Sequence, residues 1–219
     1  MKTGYGIDIF ISGIGGLGLL GVTRKLAILL SGRYKKVVTG ESRGIAQRRG
    51  SVSGVIRAGD DVRTAKLLTD KANVIVALES FEIIRKPKLI KPGTICIISD
   101  LAIQNFGGSQ HTIKYPSMNE LVTLVESMGG KPVVIPFKDY AKKHELRNVH
   151  ISSVMYGVMA SLLGFDEASM LDERIVGKPD SKNLSAMRYG FGLTLSVETA
   201  LTITPADEER ITISGQTAA

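Results

Sequence analysis

Residues 7–18 read IDIFISGIGGLG, a short apolar run followed at once by a cluster of glycines. The apolar run predicts a buried first strand over 7–12, and the apolar periodicity of residues 19–30 predicts a helix that ends before Gly32. A glycine-rich turn between a strand and a helix leaves N–H groups free at the helix N-terminus to face an anion, and glycine has no Cβ to block a phosphate. The pattern therefore indicates a ligand site, and the alternative is a tight turn that binds nothing. Its glycines are Gly13, Gly15, Gly16 and Gly18.

Strands and helices alternate along the rest of the chain. Apolar or β-branched runs predict strands over 36–39, 51–57, 73–78, 94–99 and 132–135. A turn at residues 59–61 predicts a hairpin from 51–57 into a further strand over 62–64. Helices are predicted over 81–89, 118–127, 148–163 and 181–190.

This order of elements predicts a three-layer α/β fold. We expect a mostly parallel sheet with a Rossmann-like glycine-rich first turn and C-terminal helices. Residues 1–201 are expected to form a single α/β domain, and residues 202–219 a polar C-terminal tail.

The charge is unevenly distributed. The chain carries 28 Lys+Arg against 21 Asp+Glu, a net charge of +7, and nine basic residues against three acidic ones fall between residues 33 and 66. Such a region suits nucleic acid, a membrane surface or a phosphorylated ligand, and solvated lysines are the alternative. Aromatic residues make up only 5% of the chain, which argues against nucleic acid because single-strand binding uses stacking aromatics.

Cysteine, histidine and hydropathy exclude several classes of protein. The single cysteine, Cys96, lies in an apolar run and is expected to be a small core residue. One cysteine excludes an intrachain disulfide and a self-contained iron–sulfur cluster, which needs about four thiolates. The three histidines lack metal-binding spacing, so no metal site is expected. Without a signal peptide or an apolar run of roughly 18 residues, the chain is expected to be cytoplasmic, with no membrane contact.

Residues 41–57, ESRGIAQRRGSVSGVIR, form a second informative block. Three arginines within seven residues are interspersed with glycine, and the predicted strand order puts this loop at the carboxyl ends of the strands, near the glycine turn. Guanidinium groups recognise phosphate or carboxylate in bidentate geometry. The alternative is an interface with a partner subunit, since arginine is enriched at interfaces, and both can hold if a site lies at a subunit junction.

Further motifs carry a family resemblance. Residues 73–79 read NVIVALE, residues 90–94 read IKPGT, and Asn183, Ala186 and Gly190 fit N-x-x-A-x-x-x-G. With the glycine turn, residues 7–190 resemble the gamma-type subunit of 2-oxoacid:ferredoxin oxidoreductases, most of all the small subunit of indolepyruvate ferredoxin oxidoreductase. The second block matches the family's G-x-x-Q-R-G-G-S-V segment and following arginine through Gly44, Gln47, Arg48, Gly50, Ser51, Val52 and Arg57. Arg49 stands where the family has the first glycine of a pair, and Arg43 where the indolepyruvate branch often has histidine.

The resemblance implies an accessory role in oxidative decarboxylation of a 2-oxoacid to acyl-CoA. A larger catalytic subunit would carry thiamine diphosphate, Mg and [4Fe-4S] clusters and would pass electrons to ferredoxin. The isolated chain is expected to be inactive, to hold no cofactor alone and to have no catalytic residue. A phosphorylated ligand, either coenzyme A or the edge of the thiamine diphosphate site, is expected to contact Gly13, Gly15, Gly16, Gly18, Glu41, Gln47, Arg48, Gly50 and Ser51.

Other interpretations remain open at this point. A stand-alone nicotinamide- or other nucleotide-binding Rossmann-like protein is suggested by Glu41, which follows Gly18 by 23 residues and could hold ribose hydroxyls. A paralogue that kept the fold and lost its partner is suggested by Arg49. A homodimer is also compatible with the small residues of the helix predicted over 148–163.

Overall fold

A six-stranded mixed sheet forms the centre of the fold in a computed structural model of the chain. The structure describes residues 6–43, 50–67, 72–103, 115–196, 200–202 and 212–214. The strands are β1 (Ile7–Ile14), β2 (Lys36–Arg43), β3 (Ser51–Gly59), β4 (Val74–Ala77), β5 (Ile95–Ser99) and β6 (Lys131–Ile135). Their order in the sheet is β2-β3-β1-β4-β5-β6. Strands β1, β4, β5 and β6 run parallel, while β3 is antiparallel to both of its neighbours.

The hairpin predicted from 51–57 into 62–64 is wrong. Strand β3 pairs instead with the preceding strand β2, and residues 62–64 form no strand. The physical reason lies in Arg57, whose guanidinium donates to the carbonyl oxygens of Thr64 and Lys66 at 3.1 and 3.2 Å. These bonds hold the segment 60–67 across one face of the sheet, so it does not continue as a strand.

Seven helices accompany the sheet in the described ranges. They are α1 (Leu19–Ser31), α2 (Met118–Ser127), α3 (Phe137–Lys143), α4 (Ile151–Leu162), α5 (Glu167–Met170), α6 (Glu173–Val176) and α7 (Ser181–Ser196). Helix α2 matches its prediction because Ser117 and Glu120 form a capping box at its start. Helices α3, α5 and α6 were not predicted. No helix in the described part of the chain is long and apolar enough to span a membrane.

The helix predicted over 81–89 is replaced by two short 3-10 helices, Ser80–Ile84 and Pro87–Leu89. Proline disfavours the helical conformation of the residue before it, and Lys86 accordingly has a φ of −132°. A third 3-10 helix, Asn148–His150, precedes α4. A small second sheet pairs β7 (Ala200–Thr202) with β8 (Thr212–Ser214), and β8 lies within the polar C-terminal tail expected over 202–219.

The two faces of the six-stranded sheet are covered differently. Helices α1, α4 and α7 bury one face, where Ile9 and Ile11 of β1 lie in the larger core cluster. Two 3-10 helices and α2 cover the other face over β4 and β5, where Phe10 lies in the second cluster. Over β2 and β3 this second face carries only the segment 60–67 within the described residues. The fold is therefore three-layered, with one thinly covered region.

Helices α4 and α7 pack at close range through glycine. A Cβ added at Gly190 would lie 2.0 Å from the carbonyl oxygen of Val154, and one added at Gly157 would lie 2.0 Å from that of Met187. Both distances are far below van der Waals contact, so neither position accepts a side chain at this separation. The Gly190 position of the N-x-x-A-x-x-x-G motif thus has a packing function.

Candidate functional site

The glycine turn connects β1 to α1 and uses left-handed backbone at two positions. Gly16 has a φ of +98° and Gly18 a φ of +80°, a region that strains residues with a Cβ. A Cβ on Gly18 would also lie 2.6 Å from the hydroxyl oxygen of Ser152 on α4. A Cβ on Gly16 would meet nothing within 4 Å, so this side of the turn is open.

The N-terminus of α1 has the properties of an anion-binding end. No side chain caps it, and no acidic residue lies in its first turn. The amide of Gly15 donates to Gly50 and that of Leu17 to Ile14, but the amides of Gly16 and Leu19 donate to no atom of the described residues. Unpaired N–H groups at a helix start attract negative charge through the helix dipole.

A cavity of about 240 Å³ opens beside this turn. Its walls come from three parts of the chain: the turn itself, the residue Ile103 after β5, and the 3-10 helix before α4. The cavity lies at the carboxyl end of β1. From here the chain continues through α1 to β2 on one side of β1, while the next parallel strands, β4 and β5, lie on its other side. Ligands in open α/β sheets bind at such a topological switch point. The lining residues are Ile14, Gly15, Gly16, Leu17, Ile103, Asn148 and Val149.

The second glycine block meets the first at this edge of the sheet. Gly15 donates its amide to the carbonyl oxygen of Gly50 at 2.9 Å, and Ser51 pairs with Ile14 in the β1–β3 register. The structure thus brings Gly50 and Ser51 to the four glycines of the turn. Gln47, Arg48, Arg49 and Gly44 lie outside the described residues.

The side chain of Ser51 is engaged by a buried carboxylate. Its hydroxyl donates to Oε2 of Glu82 at 2.6 Å, and Oε1 of the same carboxylate accepts from Nε of Arg85 at 2.9 Å. Ser12 donates to the backbone carbonyl of Glu82 at 3.0 Å. Glu82 is 1% exposed, so this cluster ties β1, β3 and the first 3-10 helix together beneath the turn.

A second buried carboxylate, Glu79, lies two residues after the end of β4. Its two oxygens accept the amides of Phe81 and Ile103, each at 3.1 Å. Burial disfavours its charged form and raises its pKa to about 7, with a further contribution from the negative charge of Glu82. Glu79 also fixes Ile103 in the cavity wall. It ends the motif NVIVALE, but nothing in that motif distinguishes a buried carboxylate from an exposed one.

Glu41 lies away from the glycine turn. It pairs with Gly54 in the β2–β3 register, and β3 lies between β2 and β1. Two strand spacings of about 4.8 Å each therefore separate β2 from β1. A nicotinamide-binding fold puts its acidic residue on a strand next to β1, so this topology does not support the ribose-binding role considered for Glu41. Glu41 instead lines a larger cavity over β2 and β3.

Two members of the basic region have structural partners. The guanidinium of Arg33 donates to the carbonyl oxygens of Leu163 and Gly164 at 2.5 and 3.2 Å and lies 3.9 Å from the ring centroid of Phe165. It thereby joins the ends of α1 and α4. Arg57 donates to Asp8 on β1 at 2.8 Å. Some of the basic residues of this region therefore stabilise the fold through contacts between its elements.

The fold agrees with comparison to known proteins. Residues 8–193 match the family model described as pyruvate ferredoxin/flavodoxin oxidoreductase. The chain therefore belongs to this family, and the predicted resemblance is confirmed.

Individual relatives are more specific. The chain is 27% identical over 194 residues to the indolepyruvate oxidoreductase subunit IorB of Archaeoglobus fulgidus, covering 87% of this chain and 96% of the relative. It is 31% identical over 160 residues to the protein of the same name from Thermococcus kodakarensis, covering 72% of this chain and 78% of the relative.

Solved structures show the same fold. The gamma subunit of a keto/oxoacid ferredoxin oxidoreductase from Geobacter sulfurreducens aligns with a TM-score of 0.60 and 20% identity, over 88% of this chain and 98% of that one. A 2-oxoglutarate:ferredoxin oxidoreductase from Magnetococcus marinus, solved with 2-oxoglutarate, coenzyme A and succinyl-CoA, aligns with a TM-score of 0.63 and 19% identity. It covers 98% of this chain but 34% of the larger one.

Proposed function

We propose that this chain is the small, gamma-type accessory subunit of a 2-oxoacid:ferredoxin oxidoreductase of the indolepyruvate type. The complex would decarboxylate an aryl pyruvate oxidatively to the acyl-CoA and pass the electrons to ferredoxin. The family match carries the proposal, and two relatives named indolepyruvate oxidoreductase subunits support the substrate class. The isolated chain would be inactive and would act in the cytoplasm with a larger catalytic subunit.

The redox cofactors of such an enzyme do not fit the residues of this chain. An iron–sulfur cluster needs about four thiolates. The single cysteine, Cys96, is buried in β5, and burial raises its pKa to about 12, so the thiol stays protonated. Among the residues that the structure describes, no group of three or more His, Cys, Asp or Glu side chains could hold a metal ion. We therefore assign thiamine diphosphate, Mg and [4Fe-4S] to the partner subunit.

The part of this chain would be to bind and orient a phosphorylated ligand, coenzyme A being the proposed one. Its phosphates would approach the open side of Gly16 and the unpaired amides at the start of α1. Gly13, Gly15, Gly18 and Gly50 would keep the backbone close. Gln47 and Arg48 would complete the contact from the connection between β2 and β3, and Ser51 would contribute through its backbone, since its hydroxyl donates to Glu82. Glu41 is left out because β3 separates it from the turn.

Two matched glycine substitutions test the ligand site. Gly16→Asp would put a negative charge on the open side of the turn, and Gly93→Asp serves as control because Gly93 has a similar φ of +87° and equally open surroundings. We expect Gly16→Asp to weaken coenzyme A binding at least about tenfold by calorimetry, since like charges repel at close range. Equal affinities in both variants would remove the glycine turn from the proposal.

A purification tests the subunit assignment. The tagged chain, expressed in its native host, should co-purify with a larger subunit as a brown complex that reduces a dye when given a 2-oxoacid. A colourless homo-oligomer without a partner would contradict the assignment.

A further inference from the structure

The thinly covered region of the sheet contains a second cavity, larger than the one beside the glycine turn, with a volume of about 630 Å³. It lies over β2 and β3 on the face opposite α1, between the segment 60–67 and the 3-10 helix Pro87–Leu89. Pockets that bind small organic molecules have volumes of about 300–1,000 Å³. The cavity is separate from the smaller one beside the glycine turn, because the two share no lining residue.

The floor of this cavity is apolar. Phe10 and Val55 are paired in the β1–β3 register, and Leu89, the last residue of the 3-10 helix, is buried. Gly40 and Ser53 also line the cavity and leave space in it, because glycine has no side chain and that of serine is small. An apolar floor of this kind favours a ligand with an apolar body, since it offers a bare phosphate or sulfate few donors.

The walls are held in place by contacts already described. A Cβ added at Gly40 would lie 2.7 Å from the Cβ of Ala65, so the segment 60–67 packs directly on β2. Arg57 fixes the same segment through the carbonyls of Thr64 and Lys66. The cavity is therefore preformed by the fold.

The rim is strongly positive. Four cations, Lys66, Arg85, Lys86 and Lys88, line the cavity. Glu41 also borders it, but Glu41 pairs with Gly54, whose Cβ position faces α1, so its carboxylate lies on the opposite side of the sheet. Arg85 is paired with Glu82, but the three lysines form no ion pair with any residue that the structure describes. Lys86 and Lys88 flank Pro87, and both are exposed. Unpaired ammonium groups around an apolar floor match an anion whose charge is at one end.

We propose that this cavity binds a small carboxylate with an aromatic body. The ring would lie on Phe10 and Val55, and the carboxylate would face Lys86 and Lys88. This inference goes beyond the proposed accessory role and does not depend on it, because this cavity shares no lining residue with the one beside the glycine turn.

Three naphthalene compounds of similar size but different charge test the proposal on the full chain. The chain contains no Trp, so naphthalene fluorescence anisotropy reports the ligand without an indole background. We expect 1-naphthylacetate to bind at least about tenfold more tightly than neutral 1-naphthylacetamide, and cationic 1-naphthylmethylamine to bind least, because near-surface charges discriminate on this scale. The preference should shrink at high salt.

Two paired-lysine variants locate the binding. Lys86→Gln/Lys88→Gln should remove the preference for the acetate over the acetamide. The control Lys142→Gln/Lys143→Gln loses the same charge from α3, away from the cavity, and should keep that preference. Ser53→Leu, which fills the floor, should weaken all three compounds.

Several results would overturn the proposal. Equal binding of acetate and acetamide would show that the lysines do not recognise charge, and equal behaviour of the two lysine pairs would place the binding elsewhere. If no compound binds saturably, and Lys86→Gln/Lys88→Gln abolishes co-purification of the larger subunit, the face is a subunit contact. Coenzyme A binding at the glycine turn is unaffected in each case, so failure here leaves the proposed function standing.

Discussion

Replacement of Gly190 by alanine should destabilise the protein far more than an ordinary helix substitution. The new Cβ would lie 2.0 Å from the carbonyl oxygen of Val154 on α4. Contact between a methyl carbon and an oxygen needs more than about 3 Å, so α4 and α7 must separate by about 1 Å. The clashing atom belongs to a helix backbone and cannot rotate away.

The magnitude follows from the packing around this contact. Helix α4 is buried along almost its whole length, so a shift disturbs the large core cluster. Overpacking typically costs about 1–3 kcal/mol, and a rigid backbone clash belongs at or above the upper end. For a chain of this size, a loss of about 3 kcal/mol lowers Tm by roughly 6–12 °C.

The same helix provides a matched control. Gly192 is exposed on α7, and a Cβ there would meet nothing within 4 Å. Gly192→Ala should therefore stabilise the helix by about 0.5–1 kcal/mol, because alanine loses less backbone entropy than glycine. Both variants are compared with the parent by urea unfolding followed by circular dichroism, with thermal scans as a second measurement.

The opposite signs of the two changes make the reasoning refutable. If Gly190→Ala unfolds at the same urea concentration as Gly192→Ala, the close approach of α4 and α7 is not what this glycine provides. A second consequence concerns the site: α4 also carries Ser152, which lies against Gly18, so Gly190→Ala should weaken ligand binding beside the glycine turn.

Three further predictions concern backbone, charge and the segment 60–67. Gly18→Ala should lower the free energy of unfolding, measured in urea, by about 2–3 kcal/mol, because backbone strain and a clash with α4 add. Gly16→Ala should lower it by only about 1–2 kcal/mol, because its Cβ would cause backbone strain without a clash. Equal losses in the two variants would contradict this geometry. Burial raises the pKa of Glu79 from 4.5 to about 7. The stability that this carboxyl contributes is therefore fully present below pH 4.5 and is lost as the pH rises to about 7 and the charged form appears. The free energy of unfolding should fall by on the order of 3 kcal/mol over this range. Glu79→Gln should flatten this pH profile and the exposed Glu126→Gln should not; parallel profiles would show that Glu79 is not responsible. Arg57→Lys should lower the free energy of unfolding by about 1–2 kcal/mol and increase proteolysis in the segment 60–67. The reason is that lysine cannot bond the carboxylate of Asp8 and the carbonyls of Thr64 and Lys66 at once. Unchanged cleavage would show that Arg57 does not hold this segment in place.

Local patterns predicted most of the fold. The continuous apolar runs of β4 and β5 are strands buried on both faces, and the helix predicted over 118–127 is α2 with the same bounds. The glycine turn was predicted between a strand and a helix, and it lies there. These features depend on residues close in sequence.

Features that depend on distant contacts were not predictable in the same way. The direction of β3 follows from its pairing with both β1 and β2, and the alternation of residues 51–57 is the same for either direction. The larger cavity was missed because its cations come from two separate segments, Lys66 and residues 85–88. Glu82 was missed because its partners Ser12 and Ser51 lie 70 and 31 residues away.

The antiparallel strand β3 has a consequence for the order of folding. Its pairing with β2 joins residues as close as Arg43 and Val52, while the first parallel pair joins Ile9 to Val74. Short loops close at lower entropic cost, so the β2–β3 hairpin should form first and then recruit β1. Gly15 would meet Gly50 before β4 arrives, and half of the ligand edge would exist in an early intermediate. Pulse-labelling hydrogen exchange should then protect amides of residues 36–43 and 51–59 ahead of those of residues 74–77, and the reverse order would contradict this route.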